Sequence, residues 1–296
     1  MAWIFFTLLI VVLLSLDLFI HRKNKVIHTK EALFWSIFWI ALSLAFNAVL
    51  YFTYSKEAGL QFFTGYLVEK MLSIDNIFVF SMIFSYFSIE KEYRHKVLYW
   101  GVIGAIVIRF LFIFLGISLI TEFHFMIYVL GAVLLFSGLK MTFGEEKRED
   151  LNKSFFVRLC KKILPISKEP SKGKFFIKGK VTTLFLVLIV IEGTDIIFAL
   201  DSIPAILAIT TDPLIVYTSN IFAILGLRSL YFVLENASTK CIYLKKGIAL
   251  VLVFIGFKML LSAYYTLPLS LVLSTVVLIL AASITLPYLL KPRTKK

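Results

Sequence analysis

Nine apolar runs occupy most of the chain, near residues 3–20, 32–54, 61–87, 97–119, 125–143, 181–209, 213–234, 246–262 and 267–290. A helix needs roughly 20 residues to cross about 30 Å of hydrocarbon, and most of these runs have that length. The 296 residues are 60% hydrophobic, well above the roughly half that soluble domains carry. The pattern excludes a soluble domain and predicts an all-α polytopic membrane protein with about nine transmembrane helices.

Charge orients the runs. The chain carries a net charge of +13, but its basic residues sit between the apolar runs, in segments 21–30, 88–96, 144–180, 235–246 and 291–296. That placement argues against a nucleic-acid partner and for membrane topology. The opposite loops, Ser55–Gly59, Thr121–His124, Thr211–Asp212 and Ser262–Pro268, hold one lysine between them. If every run crosses, the positive-inside rule puts the N-terminus outside and the C-terminus in the cytoplasm, as for a bacterial inner-membrane protein. The first run has no basic residue before it and no small-residue cleavage site, so it reads as an uncleaved anchor. Cys160 and Cys241 both fall in basic segments assigned to the reducing cytoplasm, so neither a disulfide nor a metal cluster is expected. Trp35, Trp39, Tyr51 and Tyr54 fit aromatic belts at the lipid–water interfaces.

The chain divides into two leading helices (1–60), a three-helix unit (61–143), a basic cytoplasmic loop (144–180), a second three-helix unit (181–262), and a last helix with a basic tail (263–296). In the loop, Phe155–Leu164 has the pattern of an amphipathic helix on an anionic leaflet. The two units match in order. Glu69-Lys-Met-Leu-Ser-Ile-Asp-Asn-Ile77 aligns with Asp195-Ile-Ile-Phe-Ala-Leu-Asp-Ser-Ile203, Arg109 with Arg228, and Ser137-Gly-Leu-Lys-Met141 with Ile255-Gly-Phe-Lys-Met259. Three crossings per unit turn the second upside down, giving the inverted repeat typical of secondary transporters, whose sites lie near the midplane.

Five carboxylates lie inside the two equivalent runs: Glu69 and Asp75 in the third, Glu192, Asp195 and Asp201 in the sixth. An ionised group in hydrocarbon is expensive, so such acids face a protein interior, a watery cavity or a cation. At helical spacing Glu69, Ser73 and Asn76 share a face, as do Glu192, Asp195 and Ser202. Asp75 and Asp201 each sit about 120° around the helix from the acid six residues earlier. They require either a local break or a wide cavity. Pro204 cannot bond to the Leu200 carbonyl, and Gly193 weakens the same helix, which together predict a break that frees a carbonyl oxygen beside Asp201.

Carboxylate, amide and hydroxyl oxygens suit Mn²⁺, Ca²⁺ or Mg²⁺ and poorly suit Cu⁺ or Zn²⁺. Met71 could add a thioether for a softer ion. Arg109 and Arg228 are read as charge partners neutralising two of the acids. A network of purely structural ion pairs is the competing reading.

The segments Glu69–Phe80 and Glu192–Ala205 resemble the paired signatures of the TerC family of integral membrane proteins, and the resemblance extends over nearly the whole chain. That family is named for tellurium resistance, belongs with the LysE-like transporters, and includes bacterial members that resemble manganese exporters. The resemblance implies that Glu69, Asp75, Glu192, Asp195 and Asp201, with Asn76 and Ser202, form a metal path.

The expected function is secondary export of a divalent cation, Mn²⁺ first with Ca²⁺ or Mg²⁺ as alternatives, in exchange for protons. The alternative is a membrane scaffold in a stress or tellurite response, its acids structural. No prosthetic group is expected. The expected partners are the metal ion substrate and the lipid bilayer, and the sequence identifies no protein partner. An enzyme is not expected, because no His-Glu-x-x-His helix, nucleophile elbow or phosphate-binding loop accompanies the acids.

Overall fold

In the computed structural model, the described residues are 2–20, 28–143, 162, 165–167, 171, 173–235, 242–262, 264–265 and 267–289. Cys160, Cys241 and all of segment 155–164 except Lys162 lie outside them, as does the side chain of Asp75.

Helices form where the apolar runs predict them. They are α1 (Ala2–Ile20), α2 (Thr29–Val49, continued by a π-helical turn at Leu50–Tyr54), α3 (Lys56–Tyr86), α4 (Lys91–Glu122) and α5 (Met126–Phe143). After the basic loop come α6 (Thr183–Leu207), α7 (Pro213–Leu225), α8 (Leu227–Leu234), α9 (Ile242–Leu261) and α10 (Leu269–Leu289). Caps fix several starts. Ser55 accepts from the Ala58 amide at 2.9 Å to begin α3, and Asp212 accepts from the Leu214 and Ile215 amides, with Pro213 at the first helical position of α7.

The surface is inverted relative to a soluble protein. Phe136 and Leu278 are each 69% exposed, whereas Glu69, Lys70, Arg109, Asp195, Asn220 and Arg228 are buried. In water this arrangement would be unstable. In lipid it is the stable one, because the exposed side chains meet hydrocarbon and the charges find one another inside. Five helical segments are long and apolar enough to cross a membrane by length and composition: Thr29–Tyr54, Lys91–Glu122, Met126–Phe143, Thr183–Leu207 and Pro213–Leu234. The chain is an all-α integral membrane protein.

Helix α4 packs along α6, and α3 packs along both α6 and α7. The largest contact, between α5 and α9, is a glycine seam. A β-carbon on Gly138 would lie 2.8 Å from the Ala249 carbonyl oxygen, and one on Gly256 would lie 2.8 Å from the Gly131 carbonyl oxygen. Backbones can approach this closely only without side chains between them.

Two expectations are corrected. Helix α6 does not break at Pro204. The proline stands in its last turn, where the lost bond is one of few remaining, and the helix closes through Ala208 N–H to the Pro204 carbonyl at 3.0 Å. The discontinuity falls instead at Gly226, between α7 and α8. Trp39 is not in an interfacial belt. It is 1% exposed and packs at the break, its β-carbon 3.0 Å from where Gly226 would carry one. The loop before α6 contains a small hairpin, β1 (Phe176–Ile177) and β2 (Lys180–Val181), paired Phe176 to Val181 and Ile177 to Lys180. Lys178 and Gly179 both have positive φ, 48° and 75°, as a tight two-residue hairpin turn requires.

Candidate cation path

The guanidinium of Arg109, buried midway along α4, organises the interior. One of its amino groups, Nη1, donates to Glu69 Oε1 on α3, to Asn220 Oδ1 on α7 at 2.7 Å and to Ser202 Oγ on α6 at 3.3 Å. Nη2 reaches Asp195 Oδ1 at 3.5 Å. Glu69 is held further by Asn220 Nδ2 at 3.3 Å and by Ser73 Oγ, which donates to Oε1 at 3.4 Å. Four helices therefore meet on one cation. The spacing that places Glu69, Ser73 and Asn76 on one face of α3 is what turns Glu69 and Ser73 toward each other.

Two cavities flank this network. One, of about 20 Å³, is bounded by α3, α4, α6, α7 and α8 and is lined by Glu192, Asp195, Arg228, Gly101 and Phe80 among others. We call it the α4 cavity. Glu192 Oε2 and Asp195 Oδ2 are buried with no hydrogen-bond partner among the described residues. Gly101 of α4 lines this space. Gly104 stands directly against the Glu192 carboxylate, and a side chain there would overlap it.

The second, the α5 cavity, of about 90 Å³, lies between α3, α5, α6 and α9 and is lined by Glu69, Asn76, Asp201, Ser202 and Met141. Asp201 accepts from Ser137 Oγ of α5 at 2.8 Å. The 120° offset of Asp201 is thus met by a separate cavity on another side of α6, not by a helix break. A third, open cavity of about 530 Å³ lies at the α3 N-terminus and the α6 C-terminus, among Glu57, Gln61, Thr210 and Asp212.

The sequence-predicted residues thus fall into three places. Glu69, Asp195, Ser202 and Arg109 meet in the network. Glu192, Asp195 and Arg228 line the α4 cavity, and Glu69, Asn76, Asp201 and Ser202 line the α5 cavity. Arg228 is buried. Asp75 belongs to α3, and its side chain is outside the described residues. Among the described residues no three His, Cys, Asp or Glu side chains converge as one metal cluster. The described acids are divided between the two cavities, with Glu69 and Asp195 joined through Arg109.

Four contributors escaped the sequence reading. Asn220 is a lone amide in an apolar run, and that isolation was its signal. Lys70, buried beside Glu69, donates to the Ala223 carbonyl at 3.0 Å, next to the break at Gly226, and adds a third interior cation to the two arginines. Gly104 carried no signal beyond being a glycine. Met141, not Met71, is the methionine at a cavity; Met71 packs in an apolar cluster with α9 residues.

The donors on both cavities are dominated by hard oxygens, which suit Mn²⁺, Ca²⁺ or Mg²⁺, with the Met141 thioether as the one soft group in the α5 cavity. The α4 cavity has room for about one water-sized occupant.

The profile of the Integral membrane protein TerC family matches residues 54–295. A Myxococcus xanthus protein named "Uncharacterized membrane protein STKORF319" is 44% identical over 95% of this chain and 90% of its own length. Proteins named "Putative membrane-bound redox modulator Alx" are similar as well. That of Salmonella typhi is 42% identical over 97% of this chain and 93% of its own, and that of Escherichia coli K12 is 41% identical over 93% and 90%. No solved structure matches the chain.

Proposed function

The chain belongs to the Integral membrane protein TerC family, and on that footing we propose that it is a secondary transporter exporting a divalent cation, Mn²⁺ first, from the cytoplasm in exchange for protons. One observation carries this reading. Glu192 and Asp195 each keep a buried carboxylate oxygen without a partner among the described residues and both line a space sized for one ion, and buried carboxylate oxygens left without donors are costly unless a cation or proton meets them.

The inverted repeat is part of the proposal. With Gly138 aligned to Gly256, Gly131 aligns to Ala249, and the two backbone approaches across the α5–α9 seam become one contact seen twice. The packing of α4 on α6 and of α7 on α3 forms a second such pair. Nine crossings, with α7 and α8 as one interrupted span, place every basic segment on the cytoplasmic side of the inner membrane. No resident prosthetic group or catalytic step enters this mechanism; the metal is cargo, and an ion gradient or the membrane potential drives it.

The name of the Alx relatives attaches a redox role to them. For this chain the unpartnered acids favour transport. The test is accumulation of Mn²⁺, Ca²⁺, Mg²⁺ and Zn²⁺ in cells expressing the parent, Glu192→Gln or Asp201→Asn. The parent is expected to lower cell manganese and the variants to fail at equal protein levels. Variants that export as well as the parent would return the acids to the structural, scaffold reading.

A further inference from the structure

Resting on that transport reading, we infer that Arg109 is the partition between the two cavities and a tethered rival of the transported cation. Its guanidinium holds Asp195, on the wall of the α4 cavity, and Glu69, on the wall of the α5 cavity. An ion moving from one cavity to the other has to take these carboxylates from it in turn.

The geometry sets the order of release. The contact to Asp195, at 3.5 Å, is the longest Arg109 makes, whereas Asn220 holds Nη1 at 2.7 Å. The guanidinium lets Asp195 go first and stays anchored to α7 and Glu69. Arginine suits this role because its planar fork addresses several acceptors at once and keeps its charge when buried. A lysine would offer a point charge that cannot span both acids.

A purely structural ion pair and a rival cation predict opposite signs for metal affinity. Removing a structural pair loosens the site and weakens binding. Removing a rival positive charge beside the ligands strengthens it: at about 5 Å a dication gains roughly tenfold in affinity or more when a unit charge leaves, even with water-like screening.

The experiment measures Mn²⁺ binding to the purified full chain in nanodiscs, by the loss of the free Mn²⁺ paramagnetic resonance signal. Arg109→Gln is expected to bind about tenfold more tightly than the parent, and Arg109→Lys, which keeps the charge but cannot span both acids, more tightly than the parent and less tightly than Arg109→Gln. Arg109→Gln leaves Glu69 buried without its partner and can fail to fold. Glu69→Gln therefore provides a second route, weakening Mn²⁺ binding because the guanidinium then turns wholly to Asp195. Adding Arg109→Gln to Glu69→Gln makes a neutral, hydrogen-bonding pair and restores affinity to the parent's level or above.

Binding by the parent with no gain in Arg109→Gln, or a double variant no tighter than Glu69→Gln alone, overturns the partition and leaves transport standing. Absence of Mn²⁺ binding in the parent and every variant overturns the transport reading and the partition with it.

Discussion

Gly104 on α4 faces the Glu192 carboxylate on α6 with no room between them for a β-carbon. A methyl group at 104 drives the carboxylate out of its place on the α4 cavity. Gly104→Ala is expected to reduce Mn²⁺ transport roughly tenfold to a hundredfold, the scale of a misplaced reactive group. Gly101→Ala, one turn away, is the comparison: its β-carbon meets Ile191 at 3.6 Å and Glu192 at 3.8 Å, ordinary contact distances, so it narrows the cavity without displacing the carboxylate and is expected to cost less than Gly104→Ala. Radioactive Mn²⁺ uptake into inverted membrane vesicles separates the two.

The glycine seam makes a prediction about stability. A β-carbon at 138 meets the Ala249 carbonyl oxygen and the Val253 amide nitrogen, each at 2.8 Å, and one at 256 meets the Leu135 amide nitrogen at 2.6 Å and the Gly131 carbonyl oxygen at 2.8 Å. Backbone cannot retreat as a side chain does. Gly138→Val and Gly256→Val should each destabilise by about 1–3 kcal/mol, and by similar amounts. Thermal unfolding in detergent measures both. A large loss at one position and none at the other contradicts the inverted repeat.

Lys70 and Gly226 form the next case. Lys70→Met removes the donor to the Ala223 carbonyl and leaves that group buried beside the helix break. The expected loss is about 1–3 kcal/mol, that of an unsatisfied buried acceptor. Gly226→Ala should cost at least as much, since its β-carbon lies 2.9 Å from Lys70 Nζ and 3.0 Å from the Trp39 β-carbon. An unchanged melting temperature in Lys70→Met would show the bond to be dispensable.

Topology is tested by labelling in a Cys160→Ser, Cys241→Ser background. Glu57→Cys, exposed at the start of α3, should react with an impermeant maleimide in intact cells. Lys174→Cys, exposed just before the hairpin, should react only once the membrane is opened. The reverse pattern inverts the proposed orientation.

The helices were legible in the sequence because length and hydropathy decide what crosses lipid, and the acids because any charge in an apolar run stands out. Their grouping was less legible. Period alone put Glu69, Ser73 and Asn76 on one face, but whether Asp201 joined that site or opened another depended on α5 supplying Ser137, a fact of tertiary packing. Pro204 suggested a break that its position in the last turn made unnecessary. The interruption falls instead at Gly226, against which Lys70 and Trp39 pack, and that packing, like the burial of Trp39, is tertiary and has no local signature in the sequence.

The seam between α5 and α9 also binds the histories of two distant stretches of sequence. Each glycine there is sized by the backbone of the opposite helix, so residues 131 and 138 on one side and 249 and 256 on the other can enlarge only if the facing positions give way. Across lineages these four positions should drift together, and a substitution tolerated in one descendant should destabilise another when moved into it alone.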